Sequence, residues 1–291
     1  MNIEIKDKYI NPFTDFGFKW LFGTEKHKHL LISFLNDLLD IEAKIVNIEY
    51  RNLEKLGLSI IDRKAIFDIF CTDENGDYFI VELQRSRQRY FKDRSIYYTS
   101  FPIQEQAQRG DWDYRLNRVY FVGILEFNID DDEGYIKKVS LYDEYTKEKF
   151  YDKLTYYYIE MPKFKKSEEE LSNHLEYWLY VINNMAHLTD IPQKLKDDKL
   201  IKEFFDVAKF LNLSKEEQFL YQQDLKARLD YVNVLNYAKE NAREEGLKEG
   251  LQEGFNEGII STAKKMIQSK IDFNIISKVT GLSIERIKDL K

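Results

Sequence analysis

Ile66-Phe67-Asp68-Ile69-Phe70-Cys71 and Tyr78-Phe79-Ile80-Val81-Glu82-Leu83-Gln84 are the two runs on which the reading of this chain turns. Both are built of β-branched and aromatic residues, and Asn75-Gly76 between them is a hairpin signal, so the pair predicts two adjacent antiparallel strands. Each run carries an acid where a buried strand normally excludes one, because desolvating an unpaired charge is costly. Asp68 interrupts Ile66-Phe67 and Ile69-Phe70, and Glu82 interrupts Ile80-Val81 and Leu83. Neither run contains a lysine or arginine. A divalent cation held through oxygen ligands would supply the missing charge. The competing reading makes Asp68 and Glu82 members of a structural network with arginines from elsewhere.

Register separates the possibilities. Side chains alternate faces along a strand, so Glu82 and Gln84 share one face. A two-residue turn at Asn75-Gly76 would set Asp68 opposite Leu83 and send the acids to opposite faces. A three-residue loop, Glu74-Asn75-Gly76, pairs Asp73 with Asp77 and sets Asp68 opposite Glu82. That loop is a type I turn with glycine in the left-handed position, forming a G1 bulge. The three-residue loop is the expectation.

Upstream, Asn11-Pro12-Phe13-Thr14 reads as a turn into a helix with Thr14 as N-cap. Leu30, Leu31, Phe34, Leu35, Leu38 and Leu39 form the apolar face of a second helix over residues 28–39. Ile45, Ile48 and Tyr50 suggest a strand, and a polar stretch runs on to Arg63. Downstream, a helix is expected over roughly 90–108. Val119-Tyr120-Phe121-Val122-Gly123-Ile124-Leu125 then reads as a strand covered on both faces. After the acidic loop Asp130-Asp131-Asp132-Glu133, strands are expected at 139–142 and 154–159. Helix, strands, helix, strand is an α/β order, ending near Phe164. Ser167 with Glu170 and Ser214 with Glu217 have capping-box spacing, announcing helices near 168–186 and 215–243.

Glu-Gly pairs then recur every four residues, at Gly246, Gly250, Gly254 and Gly258, with Leu247, Leu251, Phe255 and Ile259 beside them. Each glycine costs a helix about 1 kcal/mol relative to alanine. On one helix face, the same glycines would admit a second helix closely. The repeat is therefore either a helical linker or a self-association surface, through which the chain would form a homo-oligomer. In the last thirty residues, Thr280-Gly281-Leu282-Ser283 separates two short helical patterns, as in a small helix-turn-helix.

Composition narrows the function classes. Among 291 residues, 44 are basic and 51 acidic, for a net charge of −7, which argues against coating nucleic acid by bulk charge. The charge is uneven: residues 84–118 hold eight Lys/Arg against four Asp/Glu, and residues 261–291 hold seven against three. The single cysteine, Cys71, permits no internal disulfide or cysteine-based zinc site and reads as a small buried hydrophobe. The opening MNIEIKDKYI reads as neither a secretion signal nor a transit peptide, and no run approaches a membrane span. A cytoplasmic location and no membrane partner are expected. His27, His29, His174 and His187 make no metal motif.

An Asp, a hairpin of about a dozen residues and Glu-x-Gln together resemble the active-site core of the PD-(D/E)XK nuclease superfamily. More specifically, residues Asn11 to Gly23 (NPFTDFGFKWLFG), Ile66-Phe-Asp-Ile69, Phe79-Ile-Val-Glu-Leu-Gln84 and Phe91-Lys-Asp-Arg-Ser-Ile-Tyr-Tyr98 are similar to the bacterial recombination-promoting nuclease and transposase family of the Rpn type. The likeness is strongest over residues 9–127. It implies an α/β fold with a restriction-endonuclease-like core, a mixed central sheet flanked by helices, followed by a helical C-terminal region. It also implies cleavage of DNA dependent on Mg2+, with Mn2+ as a substitute, by a protein tied to recombination or mobile elements. The expected division is a nuclease-like domain over 1–165, a helical region over 166–242, and a glycine-repeat helix with a small helical tail over 243–291.

Carried over by position, Asp68 and Glu82 would hold the metal, with the Leu83 backbone carbonyl as a third ligand. Gln84 stands where the superfamily usually has lysine; it can orient water but supplies no positive charge. Arg94, on the following helix, is the expected substitute. Asp15 is a candidate further acid, or else a helix-start charge paired with Lys19. Arg85, Arg87, Arg89, Lys92 and Arg94 are candidate substrate-binding residues, since clustered cations beside a phosphodiester-cleaving site suit phosphate contact; Gln104 joins them because 3–4 spacing puts it on or near the Arg94 face of the expected helix. The alternative function is a non-catalytic DNA-binding or regulatory protein retaining the fold.

Overall fold

The computed structural model describes residues 8–51, 67–108 and 110–290. Most of the opening segment, the polar stretch up to Arg63 and Ile66 lie outside the described residues. The chain divides into two compact units, Met1–Lys226 and Ala227–Lys291.

The first unit is ordered around one mixed six-stranded sheet. Helices α1 (Asp15–Phe22) and α2 (Lys28–Leu38) precede strands β1 (Ile48–Tyr50), β2 (Ile69–Asp73) and β3 (Tyr78–Gln84). Helix α3 (Phe91–Glu105) leads to β4 (Val119–Leu125), β5 (Ile136–Tyr142) and β6 (Lys149–Glu160); α4 (His174–Asn184), α5 (Lys199–Val207) and the first turns of α6 (Lys215–Gln268) follow. The strand order is β1-β2-β3-β4-β6-β5. The three central strands β3, β4 and β6 are parallel, and β1/β2, β2/β3 and β5/β6 are antiparallel. This is a restriction-endonuclease-like α/β fold. Covered on both faces, β3 and β4 are buried at every position, as their continuous apolar runs predict.

Alternation along the strands assigns the two layers. Phe79, Val81, Tyr120, Val122, Tyr157 and Ile159 pack on one face with Phe18, Leu31, Phe34, Trp178 and Phe204, which come from α1, α2, α4 and α5. Tyr78, Ile80, Phe121, Tyr156 and Tyr158 pack on the other with Phe91 and, less deeply, Tyr98 and Phe101 of α3. On that face the hydroxyls of Ser95 and Thr99 each meet a tyrosine hydroxyl, Tyr158 and Tyr156 respectively, at 2.7 Å. One helical turn of four residues advances about 6 Å and two strand residues about 6.6 Å, so the two polar pairs stay in step.

The helical segment after Phe164 is not an appendage. Trp178, Leu179, Ile201, Phe204 and Phe205 belong to the same core as α1 and the sheet, so no core boundary falls near residue 165. Helical periodicity locates such faces but does not say which apolar surface they meet. The capping box at Ser167 and Glu170 closes only a single 3-10 turn, and the helix proper starts at His174, capped by Asn173. Ser214 and Glu217 cap α6 as expected. That helix then continues unbroken past residue 242 and through the glycine repeat to Gln268.

In the second unit, α7 (Phe273–Thr280) and α8 (Ile284–Asp289) flank a turn at Gly281, whose φ of +73° is left-handed. Ala263, Ile276 and Ile287 form the small core joining them to the end of α6. The four repeat glycines have nothing within 4 Å of where a Cβ would lie, and Leu247, Leu251 and Phe255 are exposed.

Candidate active site

The hairpin closes by the three-residue loop. The Gly76 amide donates to the Asp73 carbonyl at 3.1 Å, and the Asp73 amide to the Asp77 carbonyl at 3.0 Å. Gly76 has φ +78°, which a side chain would strain. Ile69 opposes Val81, which carried one residue further sets Asp68 against Glu82.

There the two acids interlock through the backbone. The Asp68 amide donates to Glu82 Oε1 at 2.9 Å, and the Leu83 amide donates to Asp68 Oδ2 at 2.8 Å. Each carboxylate thus spends one oxygen on the neighbouring strand and turns the other toward a cation. Glu82 Oε2 faces the Arg94 guanidinium at 3.4 Å, and Asp68 Oδ1 faces Lys19 Nζ at 4.0 Å. Gly123 lies directly beside Glu82 in β4, where a Cβ would press on Phe121, Leu125 and Tyr158 at 3.2–3.3 Å. Glu82 is buried and Asp68 nearly so. Burial first, and then the charge of Asp68, push the Glu82 carboxyl well above its ordinary range. Burial likewise raises Asp68, against the pull of the Leu83 amide and Lys19. Two neighbouring acids that resist ionising together, each with one oxygen not held by the backbone, fit a hard divalent cation.

The remaining expected residues divide. Gln84 is buried on the Glu82 face and donates through Nε2 to the Ser86 carbonyl at 3.2 Å. Arg94 is held by Glu82, by Gln88 Oε1 at 3.2 Å and over the Tyr98 ring at 4.9 Å. Asp15 does not take Lys19: its carboxylate binds Arg85, whose guanidinium also lies 3.7 Å from Asp224 of α6. Asp15 is still near enough to raise Asp68. Arg87, Arg89 and Lys92 are exposed and line a 360 Å³ hollow with Tyr90, Phe127 and Ile129. Gln104 is exposed at the far end of α3, ten residues and about 15 Å along the axis from Arg94. Its neighbour Glu105 pairs with Arg51 there. The structure does not bring Gln104 to the acids.

Lys19 and Asp224 are the residues that sequence reasoning missed. Lys19 stood in view only as a partner for Asp15. It is exposed between buried Phe18 and half-buried Trp20, which marks it as an outward residue of a helix whose other charge is Asp15. Asp224 accepts from the Phe16 amide at 2.7 Å and so ties α6 to the start of α1; no local pattern announces it.

A second acidic group joins the end of β6, at Glu160, to the loop between β4 and β5, at Asp130 and Asp132. Carboxylate oxygens of Asp130, Asp132 and Glu160 come within 4.8 Å of one another. They already hold two ammonium groups, Lys163 at 2.9 Å from Glu160 and 2.7 Å from Asp132, and Lys137 at 2.8 Å from Asp130.

A mixed sheet with one acid at the entry to β2 and one within β3 of a central hairpin, covered by helices on both faces, is the framework of a PD-(D/E)XK nuclease. The chain belongs to the PD-(D/E)XK nuclease family transposases, whose family model matches residues 12–238. Neither the curated proteins nor the solved structures offer a match to it. Among the described residues, no helix is long and apolar enough to cross a membrane.

Proposed function

We propose that the protein is a divalent-metal-dependent DNA endonuclease whose metal is held by Asp68, Glu82 and the Leu83 carbonyl. One observation carries this reading: after each carboxylate has been fixed by an amide of the opposite strand, its second oxygen, Asp68 Oδ1 or Glu82 Oε2, meets only a long ion pair, at 4.0 Å and 3.4 Å. A structural ion pair needs no such reciprocal bracing. The Leu83 N–H is directed toward β2 and Asp68, and in an antiparallel ladder the carbonyl of a residue points to the same side as its N–H. Mg2+, or Mn2+ in its place, would polarise a phosphoryl oxygen and acidify a bound water. The chain's own residues would position the phosphodiester: Gln84 orients water through its amide, and Arg87, Arg89 and Lys92 bind backbone phosphates beside the site. Hydrolysis forms a bond from the water oxygen to phosphorus and breaks one P–O ester bond, and the leaving oxygen takes up a proton.

Supercoiled plasmid incubated with the wild-type chain should be cut with Mg2+ and left intact with EDTA. Asp68→Ala should leave it intact in both. Absence of cutting by the wild type across Mg2+ and Mn2+, and across duplex and single-stranded DNA, would overturn the proposal. The neutral Gln84, buried where the superfamily has lysine, favours the second reading, a DNA-binding protein that retains the fold without cleaving.

A further inference from the structure

We infer that Lys19 of α1 contacts the phosphate to be cleaved and supplies the positive charge that Gln84 lacks. This rests on the nuclease reading above. Among the described residues, two cations lie within 4 Å of the acid pair, Lys19 and Arg94. They differ in freedom. Arg94 is fixed over the more buried acid by three partners, Glu82, Gln88 and the Tyr98 face. Its fork is occupied, so it serves to hold Glu82.

Lys19 has a rigid base and a free end. The turn before it is pinned by the Thr14 hydroxyl, which accepts from the Gly17 amide at 2.9 Å, and by Asp224 on the Phe16 amide. Gly17 packs so tightly that a Cβ would lie 2.2 Å from the Asn11 carbonyl oxygen. The Lys19 side chain is 48% exposed, and its ammonium stands 4.0 Å from Asp68 Oδ1, beyond hydrogen-bond length. An ammonium so placed hovers over the outward oxygen of one proposed ligand without being consumed by it. A phosphate oxygen arriving at the pair would complete its coordination. A lysine suits this task because it is a compact point charge with three rotatable donors. In the usual arrangement the cation comes from β3 itself; here it reaches Asp68 from α1, a helix that shares its core with Phe79 and Val81 of β3.

The test uses the full-length wild type with Lys19→Met and Lys19→Arg, all compared for thermal unfolding first, since an exposed side chain should be replaceable without loss of fold. Two readouts are taken: plasmid cleavage in Mg2+, and binding of a labelled duplex in EDTA across a series of KCl concentrations. Removing a single charge-stabilising donor from such a site typically lowers turnover about 10²–10³-fold. Lys19→Met should fall in that range, and Lys19→Arg should recover at least about a tenth of wild-type turnover, within what general charge stabilisation allows. The slope of log affinity against log salt should drop by about one for Lys19→Met, the loss of one phosphate contact. Cleavage by Lys19→Met within about threefold of wild type, a margin far below the loss of a charge-stabilising donor, would overturn the inference, as would an unchanged salt slope. If the wild type itself cuts nothing, the nuclease reading fails separately. The salt slope then decides alone whether Lys19 touches phosphate.

Discussion

Asp68→Asn separates a site poised for a cation from a structural ion-pair network, because the two make opposite predictions for stability. Asparagine keeps an oxygen to accept from the Leu83 amide, removes the charge, and puts an amide donor in place of the oxygen that faces Lys19. In the metal-free protein both acids have raised carboxyl pKa values, Glu82 through burial and then Asp68, and Asp68 through burial. One unit of such a shift corresponds to about 1.4 kcal/mol. Against this, a neutral acceptor makes a weaker bond with the Leu83 amide, and the attraction of half-exposed Lys19 is lost, worth about 1 kcal/mol where water screens it. The net expectation is a gain of about 1–2 kcal/mol at pH 8 in EDTA. The sign with pH follows from linkage. A carboxyl raised on folding binds more protons in the native state, so stability falls as pH climbs from the ordinary carboxylate range toward the raised folded value. Wild type should therefore lose stability between about pH 4 and pH 8, Asp68→Asn should lose less, and the two should converge near pH 4 and below, where the unfolded carboxyls also take up protons. Urea titrations at both pH values measure this. Mn2+ at a hundredfold excess over its dissociation constant should stabilise wild type by about 2.7 kcal/mol and the variant by nothing. A variant that is less stable than wild type by 1 kcal/mol or more at pH 8 would refute the reasoning, since it would mean that the Asp68 charge is already satisfied by Lys19 and its surroundings.

Three further outcomes are expected. Gly76→Ala should cost about 1–2 kcal/mol by urea denaturation, because the residue is left-handed and its Cβ would come 2.7 Å from Asn117 Nδ2. His174 has both ring nitrogens on carboxylates, Asp37 and Asp198, and the Asp37 bond chiefly raises its pKa. The stability it lends is full below pH 6.5 and fades as pH rises through the higher folded value, so His174→Gln should flatten the urea midpoint between pH 6.5 and 9. Gly250→Ala with Gly254→Ala should raise helix stability by about 1 kcal/mol per site in a lone linker. If the repeat is instead a self-association surface, sedimentation should show the same pair of changes breaking up an oligomer of the wild type.

Much of this site was legible because the strand period is short and the acids violate it. Asp68 and Glu82 stand out against apolar neighbours, and the count from Asp73 to Asp77 sets their register without any knowledge of the third dimension. The same reasoning found β3, β4 and the Thr14 cap, all of which depend on residues within a few positions of one another. What it did not find depends on long separations. Asp224 meets the Phe16 amide across 208 positions, and Lys19 turns to Asp68 rather than to Asp15 because Arg85 takes Asp15. The core shared by α1, α4 and α5 was hidden for the same reason. Gln104 was placed near the site by counting helical spacing alone; α3 carries it back along the sheet, away from the ends of β3 where the acids lie.

The ends of β3, β4 and β6 fall on one side because those strands are parallel, and both acidic groups gather there. Their surroundings differ in one respect. Glu160 is fully buried, accepts from the Ile129 amide at 2.8 Å and has Lys163 at 2.9 Å and Lys137 at 3.6 Å. It is an acid whose counter-charge the chain supplies. Glu82 is also buried, but its nearest cation is shared with Gln88 and Tyr98, and its neighbour is another acid. Neutralising one acid of each group should therefore move stability in opposite directions. Breaking a buried pair by removing one charge strands the other and typically costs about 3–5 kcal/mol. Lys163 retains Asp132 and some access to water, so Glu160→Gln should cost about 2–3 kcal/mol by urea denaturation in EDTA, where Asp68→Asn gains. Equal signs for the two would mean that the pair Asp68 and Glu82 is as fully compensated as Glu160, and a cation would then have no unmet charge to answer.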